Sequence, residues 1–225
     1  MSKREAVHRR ARLLVAAMVL SCAASLQGHG AVSLDGSNCI LFAGQVKREL
    51  AVCVVWEGEG RTLSISLVGR GPNNVDTIVL RRNGAEPFQT IHVAARPPIS
   101  RSDVGLLYTD MNFDGHGDFA IMRRGHGAVR TPFYYFIYDP ALERYVRSGV
   151  LEGLGNVVFD ATAMAVVSRW RDKTFRYKDS FKWAGKGLRL HERERSGGAE
   201  QRCVFISYEW RGVKRIAREP EPCKR

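Results

Sequence analysis

The stretch DMNFDGHGD, residues 110 to 118, gathers the densest set of oxygen donors in the chain. Asp110, Asn112, Asp114 and Asp118 stand at positions 1, 3, 5 and 9 of it, with Gly115 at position 6. Hard cations such as Ca²⁺ take about six to eight oxygen ligands, and alternate residues of a tight loop can aim several at one centre. Here three carboxylates and one amide would supply side-chain oxygens, His116 its backbone carbonyl, and Gly115 the sharp bend. An EF-hand would continue to a bidentate Glu at position 12, where this chain has Ile121 in an apolar run. The spacing fits the shorter calcium loops set between β-strands. The plainer alternative is an Asp/Asn/Gly-rich hairpin turn without metal. A transition metal would prefer imidazole or thiolate ligands. A catalytic ion needs an open coordination position and a nearby acid, base or nucleophile. None stands beside this loop, so the Ca²⁺ expected is structural.

Other reactive constellations do not emerge. The sequence has no HExxH, no GxSxG, no Cys/His nucleophile pair and no phosphate-cradling glycine loop. His92, His116, His126 and His191 are dispersed, and no carboxylate pair suited to glycoside cleavage separates from the loop itself. The expectation is a binding protein and not an enzyme.

What must hold the loop in place is set first by compartment. Lys3, Arg4, Arg9, Arg10 and Arg12 precede the nine-residue apolar core Leu13 to Ser21, followed by small residues. That order reads as an export signal over residues 1–22, and the core is too short for a membrane anchor. VLSC, ending at Cys22, resembles a lipobox, in which the cysteine becomes the lipidated first residue; ordinary cleavage after Ala23 or Ser25 is the rival. Five cysteines are present: Cys22, Cys39, Cys53, Cys203 and Cys223. A lipid on Cys22 leaves four for two disulfides, whose simplest pairing is local, Cys39 with Cys53 and Cys203 with Cys223, although two other connectivities are formally open. No CxxC or Cys/His cluster points to zinc. Of the net charge of +12, residues 1–21 hold five basic and one acidic residue, so +8 remains beyond them. Basic residues are scattered among acidic ones, which reads as a solvated surface and not as a nucleic-acid footprint. Membrane contact is expected only through the N-terminal lipid, and the oligomeric state is left open.

Beyond a linker at 23–36, residues 37–225 read as one domain. ELAVCVVW, RTLSISLVG, DTIVLRR, QTIHVAA, GDFAIMRR, PFYYFIYD and CVFISYEW are short runs rich in β-branched and aromatic residues, broken about every ten residues by Gly, Asn, Asp or Pro. Only ATAMAVVSRW is ambiguous, since Ala and Met suit a helix. The expectation is all-β, an irregular β-propeller-like or sandwich arrangement of short antiparallel strands and hairpins. In FYYFIY, alternation sends Phe133 and Tyr135 one way and Tyr134, Phe136 and Tyr138 the other, with one set in the core and one partly exposed. Exposed tyrosines beside a rigid loop would make good protein anchors. YDP, ending at Pro140, reads as the turn that ends that strand, with Asp139 capping it.

DMNFDGHGDFAI, a Gly-containing loop, FYYFIYDPALERYV and the FKWAGKGLRL hairpin together resemble one family over residues 106–192. It comprises periplasmic, calcium-binding, propeller-like immunity lipoproteins that inhibit lysozyme-like effectors of type IV secretion systems. The resemblance implies a non-enzymatic inhibitor whose loop enters the cleft of a peptidoglycan hydrolase and meets its catalytic acid. The implied contact residues are Tyr134, Tyr135, Arg130, His126 and Arg124. The competing expectation is a calcium-stabilised module that binds the cell envelope.

Overall fold

The computed structural model describes residues 32–34, 38–42, 49–71, 73–123, 133–198 and 202–223. The expected export signal, Cys22, Arg124, His126 and Arg130 lie outside these residues. Within them the chain is all-β, in three antiparallel sheets that stack without closing a barrel, as composition led one to expect.

A three-residue strand β1 (Val32–Leu34) opens the described chain. The first sheet is then a meander of β2 (Cys39–Leu41), β3 (Glu49–Gly58), β4 (Arg61–Gly69), β5 (Val75–Arg82) and β6 (Gln89–Ala95), each strand beside its sequence neighbour. Its hairpins follow local chemistry. Between Gly58 and Arg61, which pair, the two loop residues Glu59 and Gly60 both have positive φ (49° and 77°), the twist-matched hairpin turn. Cys39 and Cys53 sit directly opposite each other in the β2–β3 ladder and are joined by a disulfide.

The middle sheet contains β7 (Leu106–Thr109), β8 (Asp118–Met122), β9 (Phe133–Asp139) and β10 (Arg144–Arg147), with β1 returning to pair with β7. One turn of helix, α1 (Gly149–Glu152), follows, and Arg147 forks onto Glu152 at 2.6 and 2.8 Å. The third sheet runs β11 (Val157–Asp160), β12 (Ala165–Arg171), β13 (Phe175–Ala184), β14 (Gly187–Gly197), β15 (Arg202–Arg211) and β16 (Lys214–Ala217), with β17 (Glu221–Pro222) on β15. A second disulfide joins Cys203 to Cys223, so both local pairings are the ones formed. The ambiguous ATAMAVVSRW resolves into a turn at 161–164 and strand β12. Its Val-Val-Ser run is buried on both faces, a setting that favours β-branched residues in an extended chain.

Packing explains the order of the layers. Phe119, Ile121, Tyr134, Phe136 and Tyr145 of the middle sheet share one core with Leu63, Ile65, Leu67, Ile78 and Leu80 of the first. Ala120 and Tyr135 point the other way, into a second core with Met111, Leu151, Phe159 and Val166. The ladder aligns these faces: Phe119 opposite Phe136, Ala120 opposite Tyr135, Ile121 opposite Tyr134. All five residues of β8 are buried, because a sheet covered on both faces has no solvent side. In β9 the buried residues are Tyr134, Tyr135 and Phe136, while Phe133, Ile137 and Tyr138 stay partly exposed, so exposure does not sort by face as alternation led us to expect. Tyr134 is 7% exposed and Tyr135 3%, one in each core. Gln89 clips the first sheet to the edge of the middle one, donating to the Tyr145 carbonyl and accepting from its N–H, both at 2.8 Å.

Phe119 stacks on Phe136 and meets Tyr145 edge-on, at ring separations of 4.8 and 4.9 Å. Phe119→Ala is expected to lower unfolding free energy by about 3–5 kcal/mol, the range for emptying a buried aromatic site. Trp56→Ala, at a site 59% exposed, should cost far less. Urea titration of the two variants checks the ranking.

Candidate functional site

The loop 110–118 connects β7 to β8, and the pair Thr109–Asp118 closes its neck. Its curl is self-made. Asp110 accepts from the N–H groups of Asp114 at 3.1 Å and Gly115 at 2.8 Å. Phe113 and Gly115 take positive φ (62° and 89°), so the chain reverses twice within three residues. Asp114 accepts from His116 N–H at 2.9 Å, from Asn112 Nδ2 at 2.7 Å, and sits 3.2 Å from His116 Nδ1.

Asp118 does different work. Its side chain is buried, and its two oxygens accept from Met111 N–H and Tyr138 N–H, each at 2.7 Å. One carboxylate thus satisfies a loop amide and an amide of β9 that the ladder leaves over. Burial pushes its pKa up to about 8; the two N–H bonds pull it down, and the charges of Asp110 and Asp114 push it up again. Among the described residues no lysine or arginine pairs with Asp110, Asp114 or Asp118, and the one basic neighbour in ion-pair range is His116.

The surroundings pin the loop from both sides. Trp183 of β13 donates from Nε1 to the Met111 carbonyl at 2.9 Å, while the Met111 side chain fills the second core. Tyr145 donates to the Gly117 carbonyl at 3.2 Å, and its hydroxyl lies 3.5 Å from Glu57, which Arg82 pairs at 3.2 Å. Arg82 in turn covers the rings of Phe88 and Tyr138. Burial raises the hydroxyl pKa of Tyr145 and of Tyr108, so both stay neutral donors. Gly117 has no room for a side chain: a Cβ would lie 1.9 Å from the Tyr108 hydroxyl.

These donors suit a hard cation chemically: oxygen only, three of the four side chains carboxyls, on a pre-curled backbone. The carboxylates of Asp110, Asp114 and Asp118 are not gathered within 4.8 Å of one another, whereas Glu194, Cys203 and Cys223 are. The latter set is no thiolate site, because the two sulfurs are bonded to each other. Closing the loop on a cation would require Asn112 and Asp114 to exchange their mutual hydrogen bond for the ion.

Of the expected partner-binding residues, Tyr134 and Tyr135 are core residues and cannot serve as exposed anchors where they stand. Tyr134 lies beneath the guanidinium groups of Arg123 and Arg147, 5.2 and 4.3 Å from its ring centre, and Tyr135 meets Phe159 edge-on. The capping role of Asp139 is as expected, its Oδ1 accepting from Ala141 and Leu142. Trp183, Tyr145 and Tyr108 were not foreseen as loop supports, since nothing local in sequence links them to residue 110.

Gly117→Ala is expected to destabilise by about 1–3 kcal/mol, the range for overpacking, because Tyr108 must move. Gly185→Ala, at a hairpin tip with nothing within 4 Å of a built Cβ, pays only for its positive φ. Thermal unfolding of the two variants should show the larger drop at 117.

No protein-family profile matches the chain, and no curated protein does. Among solved structures, the structure of a Xanthomonas type IV secretion system related protein superimposes with a TM-score of 0.50 and 14% identity, over 87% of this chain and 96% of that one. At that identity the likeness is one of fold.

Proposed function

We propose that this protein is a non-enzymatic, calcium-stabilised inhibitor of a lysozyme-like peptidoglycan hydrolase, acting as an immunity protein in the periplasm. The observation that carries the reading is the loop at 110–118: three carboxylates on one curl, without a lysine or arginine partner among the described residues, rooted between two cores. Asp110, Asn112, Asp114, Asp118 and the carbonyl of His116 would hold Ca²⁺, and the ion would supply the missing positive charge. The chain beyond that rigid base, residues 124–132, joins β8, the central strand of the middle sheet, to its neighbour β9. Arg124, His126 and Arg130 are carried there and are the residues assigned to the hydrolase and its catalytic acid. Tyr134 and Tyr135 act from beneath, fixing the end of that connection in both cores.

Further support comes from compartment and fold. Two disulfides belong to an oxidising space outside the cytoplasm. Among the described residues no helix is long and apolar enough to cross a membrane, and attachment is assigned to a lipid on Cys22. A solved structure of similar fold is that of a Xanthomonas type IV secretion system related protein, the setting in which such immunity proteins operate.

Calcium at about 100 times its Kd should add about 2.7 kcal/mol, or roughly 5–10 °C in unfolding midpoint for a chain of this size. Chelator should remove that gain, and Asp110→Ala with Asp114→Ala should abolish it. In a turbidity assay on cell-wall suspensions, the protein should inhibit a lysozyme-like enzyme with calcium and lose potency with chelator. Full inhibition by the calcium-loop variants would sink the proposed dependence on the loop. A folded, calcium-loaded protein without effect on a panel of secreted lysozyme-like enzymes would count against the inhibitor reading.

A further inference from the structure

The third sheet carries a charge pattern that the inhibitor reading does not use. Arg169 and Arg171 on β12 lie directly opposite Lys178 and Arg176 on β13, so four cations form a block two by two. All four are exposed. Directly opposed like charges destabilise an antiparallel ladder, yet here two such pairs stand side by side. The one carboxylate in ion-pair range is Glu194, 3.8 Å from Lys178. Among the described residues none pairs with Arg169, Arg171 or Arg176. Asp172, in the adjoining turn, is engaged by the N–H groups of Thr174 and Phe175 and by the Tyr177 hydroxyl.

The opposite face of the same strands is built to hold this arrangement still. Trp170 and Tyr177 pair across the ladder and stack at 3.9 Å with 12° between planes. Arg193 lies 5.5 and 5.3 Å from the two ring centres and forks onto buried Asp179, which also accepts from Trp170 Nε1 at 2.8 Å. The cations therefore project from a braced platform. Along each strand they repeat about every 6.6 Å, and across the pair their Cβ atoms lie about 5 Å apart. A groove of about 490 Å³ runs beside them, with Asn156, Glu194 and Ser196 adding polar groups to its lining.

We infer that this face binds a linear acidic polysaccharide, a chain with carboxylate or phosphate groups on successive sugar units. The four positions of the block are all cationic, and the exposed apolar neighbour on their face is the single small side chain of Val158, not the aromatic or aliphatic cluster that anchors a protein interface or enters a membrane. Its repeating cations match repeating anions, and the groove beside them, which Trp170 and Tyr177 line together with Asn156, Glu194 and Ser196, suits the mixed apolar and hydroxyl surface of a sugar chain. The disulfides place the protein where such polymers are, and where nucleic acid is not the common polyanion.

The test uses the full chain and labelled polygalacturonate, read by fluorescence anisotropy at physiological salt. One variant carries R169Q, R171Q, R176Q and K178Q; a control removes equal charge elsewhere with R61Q, R70Q, R96Q and R101Q. The block variant should bind about tenfold more weakly or worse, and the control within about twofold of the parent. Its unfolding midpoint should be unchanged or higher, because repulsion has been relieved. Equal loss in both variants would reduce the effect to net charge and overturn the site. No binding by the parent would overturn it too, as would preference for phosphatidylglycerol vesicles or polyglutamate over the polysaccharide. Hydrolase inhibition by the block variant should be intact, so this site and the inhibitory one fail or succeed separately.

Discussion

Burial of the middle sheet on both of its faces is the constraint on which the rest of the structure depends. Phe119 and Ile121 commit one face to the first sheet, and Ala120 with Tyr135 commits the other to the third. Neither outer sheet can leave without exposing large apolar groups, each contributing about 1.5–3 kcal/mol by its burial. The short loops between strands inherit their positions from this packing. The carboxylate loop is the clearest case, since its last residue, Asp118, is also the first of the fully buried strand β8.

That placement explains why an acid is tolerated in a region otherwise apolar. The hairpin neck leaves the N–H of Met111 and the N–H of Tyr138 without ladder partners, and an unpaired buried amide is costly. Asp118 meets both with one short side chain. A serine or asparagine would bring one acceptor oxygen where the two amides here meet separate oxygens. The residue that completes the backbone accounting is also the one whose charge most needs a counter-ion, so structural and electrostatic demands converge on one atom pair.

Much of this was legible in the sequence. QTIHVAA alternates because one of its faces meets solvent, and the structure returns the same alternation in burial. The two disulfides close loops short enough to be read from spacing, and Asp139 caps the turn that its YDP context announces. What was not legible depends on long-range stacking. FYYFIY looks like a strand with an inner and an outer face, and only the presence of a second covering sheet buries Tyr134 and Tyr135 alike, one on each face. Trp183 reaches residue 111 across 72 positions, and no local pattern encodes that bond. In ATAMAVVSRW, the helix preference of Ala and Met gives way to pairing of Val166 and Val167 with β13. The paired cations of β12 and β13 were visible as R-W-R and R-Y-K, but their register was needed to show that they face one another.

The return of β1 to the middle sheet has a consequence for reach. Val32 pairs with Tyr108, so the described chain begins hydrogen-bonded to the strand that leads into the carboxylate loop. Val32 stands ten positions after Cys22, and even a fully extended chain spans only about 35 Å over that distance. A lipid on Cys22 would thus tether the molecule by its central layer and on a short leash. Whatever meets the loops of that layer would do so within about one small-domain diameter of the bilayer surface.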